Sequence, residues 1–252
     1  MLRLEEVSKT YADGTRALDG ISLEIEKGEF AVILGKSGAG KSTLLRCINR
    51  LVEPSSGKIF FNGKEITGAS GGGLRDMRRR VGMIFQNYNL IPRLSVLTNV
   101  LAGGLGRSPA LKALLHHFSS EEVAAAWHHL ERLEIGDKAL QRADELSGGQ
   151  QQRVGIARAL MQEPEIILAD EPVASLDPAT SRTILDILRT INREDGVTVL
   201  CNLHLPELAR EYARRVIALQ HGKGVFDGPP ERLTDELARQ LYRSGAVAGD
   251  PA

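Results

Sequence analysis

One stretch constrains the fold of this chain more than any other. Gly35-Lys36-Ser37-Gly38-Ala39-Gly40-Lys41-Ser42 is set between the apolar run Phe30-Ala31-Val32-Ile33-Leu34 and the helix-like Thr43-Leu44-Leu45-Arg46-Cys47-Ile48-Asn49. A short apolar run bounded by glycine reads as a buried strand, so the three pieces predict a strand, a tight loop and a helix N-terminus. That arrangement suits a polyphosphate. The residues from Gly35 to Gly40, namely Gly35, Lys36, Ser37, Gly38, Ala39 and Gly40, can turn backbone N–H groups inward around phosphate oxygens, and the helix dipole adds favourable potential. Lys41 can reach the β- and γ-phosphates of ATP, the Ser42 hydroxyl can hold Mg²⁺, and Thr43 lies in the same first helical turn.

A second chemical site follows from Ile166-Ile167-Leu168-Ala169, an apolar run that ends in Asp170-Glu171-Pro172. Acids at the C-terminal end of a buried strand sit where open α/β sheets bind ligands. Asp170 would complete the Mg²⁺ sphere, and Glu171 would polarise the water that attacks the γ-phosphorus. Alone, the two acids would read as a solvated loop; after the phosphate loop they read as hydrolytic. A third block, Leu146-Ser147-Gly148-Gly149-Gln150, has its own physics. Ser147 is a good N-cap, Gly148 and Gly149 let a phosphate approach, and the helix running on to Leu160 offers unpaired N–H groups.

Together, and in this order, these blocks resemble the ATP-binding subunits of ABC transporters. Leu146 to Gln150, followed by Gln151-Gln152-Arg153-Val154-Gly155-Ile156-Ala157-Arg158-Ala159-Leu160, is similar to that family's signature and its helix. The resemblance implies one domain over residues 1–252: a P-loop NTPase (RecA-like) α/β core, an N-terminal antiparallel β subdomain, and an α-helical subdomain inserted at about 87–160. It implies ATP and Mg²⁺ as cofactors, and a second copy of the chain whose ATP faces Ser147, Gly148, Gly149 and Gln150. Residue by residue, Tyr11 resembles the aromatic that stacks on adenine, and Gln86 the glutamine that senses Mg²⁺ and water while its loop touches the membrane partner. Asp177, in Ala174-Ser175-Leu176-Asp177-Pro178, resembles the aspartate that crosses the dimer interface. His204 resembles the switch histidine that contacts the γ-phosphate, although Leu205 follows it where the family usually has an acid.

The family's partners are integral membrane permease subunits and, through the complex, a periplasmic or extracellular solute-binding protein. Cys47-Ile48-Asn49-Arg50-Leu51, the segment from Ile84 to Gly103, Cys201-Asn202-Leu203-His204 and Arg214 to Leu219 look most like the subunits of phosphonate importers. The expected cargo is therefore phosphonates and related phosphate esters, with another small solute such as a polar amino acid as the alternative. A soluble ABC ATPase acting on nucleic acid or ribosomes is a different class. Such proteins typically pair two cassettes or carry a long coiled coil, whereas this chain has one cassette and no heptad run.

Composition agrees. Lys plus Arg and Asp plus Glu each total 32, so no basic footprint marks a nucleic-acid partner. No apolar stretch approaches the roughly 18 residues of a membrane span, and Glu5 and Glu6 stand where a signal peptide would be apolar. The expectation is a peripheral protein at the cytoplasmic face of the membrane. Cys47 and Cys201 lack metal or redox spacing and read as buried small residues. His116, His117, His128, His129 and His221 read as surface or amphipathic-face residues. Gly71-Gly72-Gly73 reads as a flexible loop and a local insertion, Arg75 with Arg78, Arg79 and Arg80 as a solvated basic run or a contact for a charged partner, and Gly245 to Ala252 as frayed.

Overall fold

Phe30–Leu34 forms strand β3, which is buried throughout and feeds two separate cores. Phe30, Val32 and Leu34 join one buried cluster, and Ala31 and Ile33 join the other. A strand covered on both faces reads as an unbroken apolar run for this reason. The structure, a computed structural model, describes residues 1–107 and 118–242. Besides β3, the larger sheet holds β6 (Val81–Ile84), β7 (Ile166–Ala169), β8 (Thr198–Leu203), β9 (Arg215–Gln220) and β10 (Lys223–Gly228). Their order is β10-β9-β3-β8-β7-β6, parallel except for β10 at the edge.

Strand order places the chemistry. Gly35 follows β3, His204 follows β8, Asp170 follows β7, and Gln86 lies two residues beyond β6. Four neighbouring strands therefore deliver the phosphate loop, the histidine, the paired acids and the glutamine to one edge of the sheet, the edge at which parallel α/β sheets bind ligands.

A second sheet is antiparallel, with β1 (Leu2–Thr10), β2 (Arg16–Ile25), β4 (Ser56–Phe61) and β5 (Lys64–Glu65) in the order β2-β1-β4-β5. A turn at Ala12-Asp13-Gly14 joins β1 to β2, with the Asp13 carboxylate accepting from the Thr15 N–H at 2.9 Å. Eight helices are described: α1 (Lys41–Ile48), α2 (Gly71–Arg79), α3 (Val96–Leu101), α4 (Ser120–Arg132), α5 (Gly148–Leu160), α6 (Pro178–Glu194), α7 (Pro206–Tyr212) and α8 (Asp235–Tyr242). Ser119 and Glu122 close a capping box at the start of α4, which makes this the clearest helical stretch in the middle of the chain.

Two expectations are corrected. Gly71-Gly72-Gly73 is no flexible loop; it forms the first turn of α2. The buried Met77 and the partly buried Leu74 pack that helix onto a core, and such tertiary contact overrides the low helix propensity of glycine. The basic run is likewise not simply solvated. Arg78 donates to the Asn49 and Arg50 carbonyls, and Arg80 pairs with Glu165. The C-terminal helix α8 begins at Asp235, after residues from Pro230 form a separate 3-10 turn. His116, His117 and Gly245 to Ala252 lie outside the described residues.

Candidate active site

The loop after β3 reaches α1 through Gly40, whose φ of 103° lies in the left-handed region. A Cβ there would sit 2.4 Å from the Ala17 carbonyl oxygen, so only glycine fits both the conformation and the space. No side chain caps α1, which leaves its first-turn N–H groups directed at whatever the loop encloses.

Lys41 is 3% exposed and folded back into the loop. Its ammonium donates to the carbonyls of Gly35 at 2.9 Å and Lys36 at 3.1 Å, and it lies 3.3 Å from His204 Nδ1. Burial pushes its pKa down, and the Glu171 carboxylate, 3.6 Å away, pulls it back up. Glu171 Oε1 also lies 2.6 Å from His204 Nε2. One proton arrangement satisfies the trio: Nδ1 accepts from Lys41 while Nε2–H donates to Glu171. Glu171 occupies a left-handed conformation with φ of 52°, a strained backbone for a non-glycine residue at the point where the chain leaves β7.

Beside this trio, Ser42 Oγ donates to Asp170 Oδ1 at 2.7 Å, and Asn202 Nδ2 donates to the same oxygen at 2.9 Å. Arg46 stands 3.7 Å from the other oxygen. Asp170 and Asn202 are both buried, and Asn202 Oδ1 has no protein partner. Sequence reasoning missed Asn202, although the signal existed: an amide within the apolar strand Val199-Leu200-Cys201-Asn202-Leu203. It also missed Tyr242, whose hydroxyl donates to the His204 backbone carbonyl.

The remaining expected residues fall into two groups. Tyr11 lies just beyond β1, half-buried, with its hydroxyl 3.2 Å from Thr43 Oγ1 and its ring under the Lys9 ammonium. This places an aromatic face beside the N-terminal turn of α1. Gln86 is exposed past β6. Ser147, Gly148, Gly149, Gln150 and Asp177 do not join these residues within the chain; they line a separate cleft of about 550 Å³. Ser147 Oγ and the Gln150 side chain form a capping box at the start of α5. Asp177 caps α6, accepting from the Ala179 and Thr180 N–H groups at 3.0 Å each. One chain thus presents a phosphate loop with its acids on one surface and a glycine-rich helix start on another.

A profile described as ABC transporter matches residues 18–174. The chain belongs to the ABC transporter family. Relatives of this ABC cassette include the phosphonates import ATP-binding protein PhnC of Staphylococcus aureus (strain MRSA252), 56% identical over 241 residues, which span 96% of this chain and 94% of the relative. PhnC 1 of Halalkalibacterium halodurans is 55% identical over 242 residues, with the same coverage. Among solved structures, the dimeric ATP-binding cassette MJ0796, in a post-hydrolysis state bound to ADP and Pi, aligns with a TM-score of 0.79 at 36% identity. That alignment covers 91% of this chain and 99% of the cassette. cbiO1 from Clostridium perfringens, part of the ABC transporter complex cbiONQ, aligns at 0.81 and 32% identity over 95% of this chain and 93% of its own. The ABC chain described here accordingly has the P-loop NTPase fold and is an ATP-binding, ATP-hydrolysing cassette. Among the described residues no helix is long and apolar enough to cross a membrane.

Proposed function

We propose that this chain is the ATP-hydrolysing subunit of an import complex for phosphonates and related phosphate esters, working as a pair of copies beneath permease subunits at the cytoplasmic face of the membrane. The observation that carries the catalytic half is the convergence of Lys41, Ser42, Asp170, Glu171 and His204 at the ends of β3, β7 and β8. The cargo half rests on the names of the relatives, each of which matches this chain almost end to end. A solute-binding protein would deliver cargo to the far side of the permease.

On nucleotide binding, Tyr11 stacks on adenine and the first-turn N–H groups of α1 with those of Gly38 to Gly40 surround the β-phosphate. Lys41 exchanges the Gly35 and Lys36 carbonyls for phosphate oxygens, a better match for an ammonium than neutral carbonyls. Glu171, released from that ammonium, accepts a proton from the attacking water, while His204 holds the γ-phosphate and Gln86 orients the water. Ser42 and Asp170 offer hard oxygens 2.7 Å apart in a buried setting, a donor set that fits Mg²⁺, which keeps its waters and binds through one carboxylate plus phosphates. Bound there, the ion would neutralise charge developing on the phosphate oxygens. Ser147 to Gln150 and Asp177 act on the second copy's nucleotide.

The test is ATP-dependent uptake into vesicles containing the complete complex, with a phosphonate and a polar amino acid offered separately. Uptake of the phosphonate supports the cargo reading, and uptake of the amino acid alone overturns it while leaving the ATPase intact. The docking loop after Gln86 is best probed at Ile91, which is 51% exposed. Leu94 is a poorer probe, being half-buried with its carbonyl accepting from Ala143 N–H. Ile91→Asp should spare ATP binding by the chain yet lower transport per ATP consumed.

A further inference from the structure

Two residues beyond Gln86 the backbone does something costly. Tyr88 and Asn89 are consecutive non-glycine residues in the left-handed region, with φ of 58° and 50°. Each such residue costs on the order of 1–3 kcal/mol and persists only where its surroundings impose it. What imposes it is the signature helix. Arg158, on α5, donates to the Tyr88 carbonyl at 2.8 Å and to the Asn89 carbonyl. Among the described residues no carboxylate is bonded to this guanidinium, and burial pushes its pKa down. Both of its terminal nitrogens donate to those two carbonyls.

The side chain of Tyr88 runs the other way, toward the N-terminus of the same helix. A Cβ built on Gly148 would lie 2.8 Å from the Tyr88 hydroxyl, and one built on Gly155 would lie 3.8 Å from the Tyr88 carbonyl oxygen. Tyr88 therefore spans α5 from Gly155 to Gly148, two turns, resting where side chains are missing. Gly148 also approaches Leu176, and a Cβ on Gly149 would lie 2.5 Å from Thr180 Cγ2. The glycines of the signature thus have an intramolecular use in addition to phosphate approach: Gly148 lets Tyr88 lie against the helix it begins, and Gly149 makes room for Thr180. Downstream, the buried Asn99 anchors the same loop by bonding both the N–H and the carbonyl of Ile91.

We propose that Tyr88 and Arg158 are positioning residues that fasten the Gln86 loop to the signature helix, so that the loop facing a chain's own γ-phosphate and the Ser147–Gly149 turn facing the second chain's nucleotide move as one body. The proposal rests on the two-chain reading given above. Its physical content is entropic: a signature helix already set by its own loop loses less freedom when two chains close on ATP.

The test uses the full chain carrying Glu171→Gln, which should bind ATP without consuming it, with Tyr88→Ala and Arg158→Met introduced singly and together. ATP affinity of the dilute chain and ATP-driven self-association by sedimentation are both measured. Expected results are ATP affinity within about twofold of the parent and self-association weakened about tenfold by each single change, with the double variant no weaker than the weaker single. Arg158→Lys, which keeps a donor, should recover part of the loss. Unchanged association in both singles, multiplying losses in the double, or loss of ATP affinity in step with association would each overturn the proposal. A parent that stays monomeric with ATP would remove the two-chain reading, and this proposal with it, before any variant is compared.

Discussion

Ser42 and Asp170 lie 128 residues apart in sequence and are joined by a 2.7 Å hydrogen bond. The bond arises because β3 and β7 flank β8 in the sheet, which sets their C-terminal ends one strand apart. Asn202, on the intervening strand, bonds the same carboxylate oxygen from its own side. Phosphate loop, acid and strand core are therefore one hydrogen-bonded unit.

Removing the Asn202 donor tests that unit. Asn202→Leu keeps the volume but leaves Asp170 Oδ1 one donor short, and a buried acceptor deprived of a partner costs about 1–3 kcal/mol. Thermal unfolding should fall accordingly, and the Mg²⁺ concentration that half-saturates hydrolysis should rise several-fold. A variant with unaltered Mg²⁺ dependence would show that Asp170 needs no third-party alignment.

Glu171 and Lys41 should separate chemistry from binding. Glu171→Gln keeps the side-chain shape but cannot take a proton, so turnover should drop by at least about a hundredfold while ATP affinity holds. Lys41→Ala should weaken ATP binding itself, because it removes the cation that the loop holds at its centre. Nucleotide titrations alongside single-turnover hydrolysis distinguish the two, and normal hydrolysis by Glu171→Gln would remove that residue from the chemistry.

The separation of the Ser147–Gln150 cleft from Lys41 predicts complementation between chains. Ser147→Arg and Lys41→Ala chains, each inactive alone, should regain part of the parental ATPase rate when mixed, since one composite site of the mixed pair is intact. Mass spectrometry establishes that mixed pairs form. Mixed pairs as inactive as either parent would show that a single intact site does not suffice.

The cysteines give a prediction that depends on pH. Burial pushes both thiols up, Cys47 from an ordinary 9.0 to about 11 and Cys201 further. At pH 8 the folded chain should resist iodoacetamide, and denaturant should expose both thiols to it. Unfolded thiols ionise first as pH rises, so the contribution of Cys47 is complete below about pH 9 and is lost toward about pH 11. The denaturation midpoint should fall across that window, and less steeply in Cys47→Ala.

How much of this is written locally explains what could be read from the residues. A phosphate loop is a backbone device, so the spacing of Gly35, Gly38 and Gly40 announces it without any distant partner, and Ser147 announces its cap in the same way. The strand runs Phe30–Leu34 and Ile166–Ala169 are legible because burial on both faces leaves no polar residue to interrupt them. Gly71-Gly72-Gly73 misleads because its helix is held by Met77 and Leu74 rather than by propensity. Asn202 stands out locally as an amide in an apolar run, but its partner, like those of Tyr88 and Arg158, depends on which strand or helix lies opposite, and no local pattern carries that. The sheet order that brings His204 between the phosphate loop and Glu171 is likewise set by packing across the whole chain.

The Tyr242 hydroxyl holds the backbone of His204 from α8, and burial raises that phenol to about 12, so it remains a donor at every working pH. The histidine is consequently tethered to a segment that takes no part in the reaction. Displacing α8 would move the backbone of His204 while leaving every side chain of the site chemically unchanged. The position of this histidine is therefore a property of the C-terminal helix as much as of β8.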